Sequence, residues 1–580
     1  MSVVSNEWRQ VARGAKRFRF NSEQLCLALM VLLIGSLSVA PLLRLVWTAL
    51  APQGVPDLAR LIRLVASDRV LIASGNTLLI AFSSTLISVL LGTAAAWLVA
   101  LSDLRAKTAW VFAFILPLMI PPQVTALAWL QALAPSSPLA LLFGALGLPW
   151  FAPGEQPLYS LSGIVLLLGS HNAPLVFLTV RAGLRRLPAD LVEAAQVSGA
   201  SRLRVLFTII LPLARPAIFA GAALTFVAAA GNFGIQAMLG IPARVPTLIT
   251  LVYQQLNSIG PSALPNTAVY ALLIALITLA GMVASAWLGG RHDVRVNGAP
   301  RLWQQSLGRG RVVIEGTAWL WMALTLLLPV SALLITALTH GFGQALTWQT
   351  LTLENFRSAL WGYPAVRHAF ITSLGLTTLA AIILTCTALF LAYFLSWQRT
   401  RLVRGLWLAS ELTYALPGIV TGVAAILFFL RPLPIINVSL YGTVWIILAA
   451  YLANFLALVL RPTLAGFAQL EPALDEAARL CGAGFIRRMR DILLPLAAPS
   501  ALAGTVLVFL TALNEIQVSV LLVTAQTQTI GPTIVFLDEG GSASLAAAVG
   551  CLMILVVCLL MGLATRLARR LPQGVLPWQA

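Results

Sequence analysis

Charge is what this 580-residue sequence has least of: only 10% of its residues are Asp, Glu, Lys or Arg, against 59% that are hydrophobic. Water-soluble globular chains carry about 25% charged residues, and the mean hydropathy of +0.92 excludes an ordinary soluble domain. Seven stretches (70–101, 108–154, 156–180, 216–243, 368–398, 432–460 and 540–565) contain no charged side chain at all. A helix needs about 20 apolar residues to cross a bilayer, so several of these stretches must span it. The composition predicts an all-α polytopic membrane protein with the lipid bilayer as its solvent.

Other scarcities narrow the chemistry. There are two lysines, Lys16 and Lys107, and neither ends a GxxxxGK[ST] sequence, so no phosphate-binding loop is expected and ATP should not be bound or hydrolysed by this chain. Five cysteines show no CxxC spacing, and four lie in apolar runs; they read as free thiols and not as a disulfide framework. The four histidines are scattered without metal-ligand spacing, and no GxSxG or HExxH is present. Neither a metal site nor a catalytic site is expected, and no cofactor in the chain. Acids number 19 against 37 Lys and Arg. That excess does not imply a nucleic-acid partner, because the basic residues sit in short clusters between apolar runs.

Twelve spans can be placed, at about 25–49, 72–101, 109–133, 161–180, 209–235 and 266–289, then 315–338, 369–396, 405–430, 439–460, 493–524 and 543–565. An even number puts both termini on one side, and 28 of the 37 Lys and Arg fall in the segments of that side. The positive-inside rule makes it the cytoplasm. The apolar run Leu25–Leu43 is longer than a signal peptide's core, so an uncleaved first span is expected.

The two sets of six repeat one another. Val70 aligns with Val366 and Pro121 with Pro417, an offset of 296 that falls to 283 further along. The uncharged loop 134–157 is the place for the extra residues of the first half. Two modules, 1–289 and 312–580, follow, joined by a charged, glycine-containing cytoplasmic linker, 290–311. Tandem modules in one orientation imply a pseudo-two-fold axis along the membrane normal and a path at their interface.

The offset of 283 relates two unusual segments, EAAQVSGASRLRVLFTIILPLARP (193–216) and EAARLCGAGFIRRMRDILLPLAAP (476–499). In both, Glu-Ala-Ala precedes a glycine (Gly199, Gly482) and a shared Leu-Pro. Pro188 and Pro472 suit a helix start, the glycine permits a turn that a Cβ would oppose, and a basic amphipathic segment then climbs into the next span. One such cassette would be an interfacial loop. Two with the same spacing on the same side point to a projection that enters a groove on another protein.

This pattern resembles the coupling motif of permease subunits of bacterial ABC importers of the binding-protein-dependent kind. The resemblance covers nearly the whole chain. It implies that Glu193, Ala194, Ala195 and Gly199, with Glu476, Ala477, Ala478 and Gly482, dock a cytoplasmic ATPase present in two copies, which uses the ATP. It also implies an extracytoplasmic binding protein as donor, and residence in the bacterial inner membrane. Residues 231–256 and 514–537 look most like the ferric-iron type, in which two halves are often one polypeptide; thiamine, polyamine and phosphonate permeases share the general pattern.

Polar groups inside spans are costly and mark a path or a helix–helix hydrogen bond. Asn172 and Asn454 are near-equivalents in the fourth span of each half, with His171 beside the first; Asn232 aligns with Glu515, next to Asn514, in the fifth. These are the candidate path residues. Glu411 is an intramembrane acid with no partner nearby in sequence. Glu411 and Glu515 are also what a stand-alone secondary transporter, the competing class, would use for ion coupling.

Overall fold

A computed structural model describes residues 22–134, 137, 156–185, 189–290, 306–341, 344, 346–398, 400–432 and 437–568. Most of the loop 134–157, residues 291–305 of the linker, Pro188 and both chain ends lie outside the described residues. The first half contains α1 (Ser22–Leu50), α2 (Leu58–Val65), α3 (Asp68–Leu101), α4 (Lys107–Met119), α5 (Pro122–Ala132), α6 (Leu161–Leu184), α7 (Ala189–Val197), α8 (Leu203–Ala230), α9 (Phe233–Gly240), α10 (Leu248–Leu256) and α11 (Ala263–Gly289). The second contains α12 (Gly308–Ala337), α13 (Pro364–Gln398), α14 (Arg401–Ala415), α15 (Gly418–Phe429), α16 (Val444–Phe467), α17 (Pro472–Leu480), α18 (Phe485–Leu513), α19 (Ser519–Leu522), α20 (Ile530–Glu539) and α21 (Ala543–Ala568). An isolated bridge pairs Thr339 with Leu351.

Among the described residues, ten helices are long and apolar enough to cross a membrane, and twelve segments are if each bent pair, α4–α5 and α14–α15, is one span. The bends are 100° and 114°. Their cause is local. Proline lacks an N–H and pushes the residue before it out of the helical region. Ile120 (ψ 132°) and Leu416 (ψ 142°) are accordingly extended ahead of Pro121 and Pro417.

The fifth spans differ from expectation. They run over α8 and α18, so each begins inside its cassette and ends at Ala230 or Leu513, short of the 235 and 524 read from hydropathy. The chain then turns into the short helices α9 and α19. Asn232 Oδ1 accepts from the Ile235 amide (2.9 Å), and Glu515 accepts from the amides of Val518 (2.5 Å) and Ser519 (3.1 Å). A side chain that caps a new helix ends the old one.

The first helix of each half packs against the other half. The Ala40–Leu50 part of α1 lies on α15 and α11, and its beginning lies near α14 and the start of α18; α12 lies on α5 and α21. Ile34 is buried in the core of the second half, and Met322 in a core with Trp110, Phe114 and Phe177 of the first. Both first helices loosen into one wider turn, Gly35–Val39 and Ala323–Leu327. That register makes Glu23 of α1 the positional equivalent of Arg311 of α12. Each is the ionic anchor of its helix, with opposite sign. Arg311 pairs with Asp103 in the α3–α4 connection, while Glu23 faces Arg488 at 3.9 Å. The Leu307 amide, and after it the Arg311 guanidinium, hold the Asp103 carboxyl below the usual carboxylate range.

Candidate functional site

Each cassette is a helix, a turn and a second helix continuous with a span. In α7, the Ala200 amide donates to Ala195 O and the Gly199 amide to Gln196 O, both at 3.0 Å. In α17, Ala483 donates to Ala478 O (3.0 Å) and Gly482 to Arg479 O (2.9 Å). This pair of bonds closes a helix C-terminus on a left-handed residue. The glycines carry φ of +82° and +79°. A Cβ at either would meet nothing within 4 Å. The requirement for glycine is therefore conformational and not steric.

Glu193, Ala194, Glu476, Ala477 and both glycines are exposed, Ala195 is half-buried and Ala478 is buried. Large apolar side chains of the two cassettes are exposed, which the sequence pattern alone does not predict. Val197 is 89% exposed and Leu480, its counterpart, 90%; Leu203 and Ile486, past the glycines, are 68% and 67%. Large apolar side chains held out twice at equivalent positions mark a contact surface. Their signal was the shared offset of 283, which singles out positions apolar in both copies without joining the core.

The interiors of the cassettes differ. Val192 and Val205 are buried in the first. Their counterparts in the second are Asp475 and Arg488, both buried and ion-paired. Arg479 Nε also donates to Asp475 Oδ2 at 2.9 Å.

The polar residues of the spans divide. Besides their capping role, Asn232 and Glu515 stand where the halves meet. Asn514 Nδ2 donates to Met119 O at 2.7 Å, joining the end of α18 to the bend of the first half. A Cβ on Gly231, the counterpart of Asn514, would lie 2.7 Å from Pro417 Cβ at the other bend. A Cβ on Gly531 of α20 would lie 2.9 Å from Glu515 O and 3.3 Å from Gln123 Nε2. Gln123, fully buried at the first bend, has neither side-chain polar atom partnered among the described residues.

In the fourth spans the register is one residue off the sequence pairing. α6 and α16 start and stop 283 residues apart, so Asn454 matches His171 and not Asn172. His171 Nδ1 sits 3.4 Å from Thr125 Oγ1; the buried Asn172 Nδ2 and Asn454 Oδ1 have no hydrogen-bond partner among the described residues. Glu411 does have one: Arg461 Nε and Nη2 reach its carboxylate at 3.2 and 2.5 Å, with the guanidinium over the Tyr414 ring. An acid neutralised in this way is a structural pair and offers no free charge for ion coupling.

Two helical halves that interlock through their first helices, each with a helix–glycine–helix cassette at equivalent positions, define a class: integral membrane permeases built from two repeated modules. The family of binding-protein-dependent transport system inner membrane components matches residues 88–298 and 388–573, once in each half, and the chain belongs to it. Members are transporters, working with an ATPase and a substrate-binding protein. The chain is similar to a probable ABC transporter permease protein, y4fN, of Sinorhizobium fredii, at 27% identity over 90% of this chain and 91% of that one. It is similar to the ferric transport system permease protein FbpB of Actinobacillus pleuropneumoniae, at 26% identity over 76% of this chain but only 63% of that longer protein. The molybdenum transport system permease protein ModB of Haemophilus influenzae is 32% identical over 41% of this chain and 96% of its own length.

Proposed function

We propose that this chain forms the translocation path of an ATP-driven importer, and that α7 and α17 are its two handles, one for each of two ATPase copies. The observation that carries this reading is the duplicated geometry: a left-handed glycine flanked by outward-facing Val197 and Leu203, or Leu480 and Ile486. A knob of that shape and polarity fits a groove in a soluble partner. Glu193, Ala194, Ala195, Glu476, Ala477 and Ala478 complete the docking faces. The cassette end of the bundle is cytoplasmic, as the clustering of Lys and Arg there supports, and both termini share that side. Replacing Gly199 and Gly482 together by valine should abolish ATPase capture and ATP-driven uptake while the chain still inserts. Normal uptake by that variant overturns the proposal.

The path runs where the two bends meet the ends of α8 and α18, with Asn232, Asn514 and Glu515 at its constriction and Asn172 and Asn454 flanking it. For the cargo we propose ferric iron. The support is that the relatives named for ferric transport align over 76% and 71% of this chain, and so reach into both halves, whereas the one named for molybdenum transport in Haemophilus influenzae aligns over 41%. Molybdate is the second reading, favoured by the higher identity of the single-module relative. Metal analysis and mass spectrometry of the binding protein purified with the complex decide between them. Bound iron supports the first, molybdenum the second, and an organic ligand such as thiamine neither.

A further inference from the structure

The second cassette takes part in a closed ring of polar contacts that draws on both halves. Glu23 Oε1, at the start of α1, accepts from the Tyr393 hydroxyl at 2.8 Å and from Gln398 Nε2 at 2.5 Å. The Tyr393 hydroxyl accepts from Arg479 Nη2 at 2.9 Å. Arg479 donates to Asp475, Asp475 pairs with the buried Arg488, and Arg488 Nη2 returns to Glu23 at 3.9 Å. Two carboxylates and two guanidiniums make the ring neutral. Its members come from α1, α13, α17 and α18. Buried ions are tolerated when each has a partner, and removing one partner strands the others.

Among the described residues, the first cassette has no such ring. Asp475 and Arg488 are replaced there by Val192 and Val205, Arg479 by Gln196 and Tyr393 by Trp97. Arg311, the counterpart of Glu23, is anchored to Asp103, before α4, and not to the cassette. A valine pair holds by contact alone and has no preferred direction. An ion pair with a third and fourth partner fixes both distance and orientation.

We propose that the two cassettes are mechanically unequal: the ring welds the second to α1, so that a displacement of α17 is carried as a rigid unit along α1, whereas the first moves relative to α12. Asp475, Arg488 and Glu23 are positioning residues in this scheme. α1 is suited to the role, because its far part, Ala40–Leu50, packs on α15 directly beyond the Pro417 bend. A push at the second cassette thereby reaches the constriction through a helix contributed by the first half. This inference rests on the reading that the cassettes dock the ATPase.

The test compares two symmetry-related distances in the complete complex with its ATPase, reconstituted in lipid. Spin labels replace Leu29 and Arg487 in one sample, and the counterparts Thr317 and Arg204 in another, with the five native cysteines changed to alanine. Between nucleotide-free and vanadate-trapped states, the Leu29–Arg487 distance should stay fixed and the Thr317–Arg204 distance should shift by several ångströms. E23Q, and separately D475V/R488V, which installs the first cassette's pair, should each make the Leu29–Arg487 distance shift as well. A hydrophobic replacement of a buried ion pair is often neutral for folding, so the second variant separates loss of the weld from loss of the fold. Equal behaviour of the two distances in the unsubstituted chain, or no effect of E23Q, overturns the weld. If the ATPase does not co-purify with the chain at all, it is the docking reading that has failed.

Discussion

Gly482→Val and Gly482→Asn separate the two things a glycine can supply. Because space is open around the position and only the positive φ excludes other residues, valine should cost the turn about 1–2 kcal/mol, whereas asparagine, which visits that region readily, should cost less. ATPase capture by detergent-solubilised chain should therefore fall sharply in G482V and survive largely in G482N; equal loss in both would point to a steric role. A capping role for Asn232 makes a similar contrast. Asn232→Ala should lower stability by about 1 kcal/mol and Asn232→Asp much less, as read by thermal unfolding in detergent. At this scale the glycines were legible in the sequence, because backbone conformation is a local property. The exposure of Val197 and Leu480 was not, since it depends on what fails to cover them. Nor was the partner of Glu23, which lies 370 residues away at Tyr393.

Among the elements, the bends and the ends of the fifth spans carry the argument. Gly231 ends α8 against Pro417 so closely that a Cβ would stand 2.7 Å from the ring. Gly231→Val should overpack that contact, costing about 1–3 kcal/mol and holding the two halves apart at the constriction. The check is accessibility of a cysteine introduced at Gln123, which should label faster in the G231V background; an unchanged rate would remove this contact from the constriction. The existence of both bends followed from Pro121 and Pro417, which act on the adjacent residue. The early stop of α8 and α18 did not follow from hydropathy, because Phe233–Gly240 and Val518–Leu522 are as apolar as the span before them. What ends the helix is the capping side chain at 232 or 515, a hydrogen-bonding event invisible to a hydropathy window. The one-residue shift in α6 and α16 is different: the offset of 283 between the cassettes already pairs Asn454 with His171, and the matching ends of the two helices agree with it.

For the whole molecule, the exchange of first helices makes the two halves one unit, and the reversed signs of Glu23 and Arg311 specify it. In the wrong place, Glu23 would face Asp103 and Arg311 would face Arg479 and Arg488. Two chains split within 290–311 and expressed together should therefore recover each other in a pull-down through one tag. E23R, which sets a third positive charge against Arg479 and Arg488, should lower that recovery severalfold; full recovery would show that the anchors do not direct assembly. The all-helical membrane class, with ten to twelve membrane-length segments among the described residues, and the repeat of the two halves were readable from composition and repeat, since both are sums over many residues. The interlocking was not, because each half's own helices would satisfy the same apolar pattern. The central claim concerns the two cassettes, and its most direct test is retention of the ATPase by V197D/L480D, a variant that leaves both glycine turns and the ring untouched. Co-purification from membranes should be lost while the amount of inserted chain matches that of the unsubstituted protein. Retention of the ATPase at the unsubstituted level, with ATP-driven uptake intact, would contradict the account.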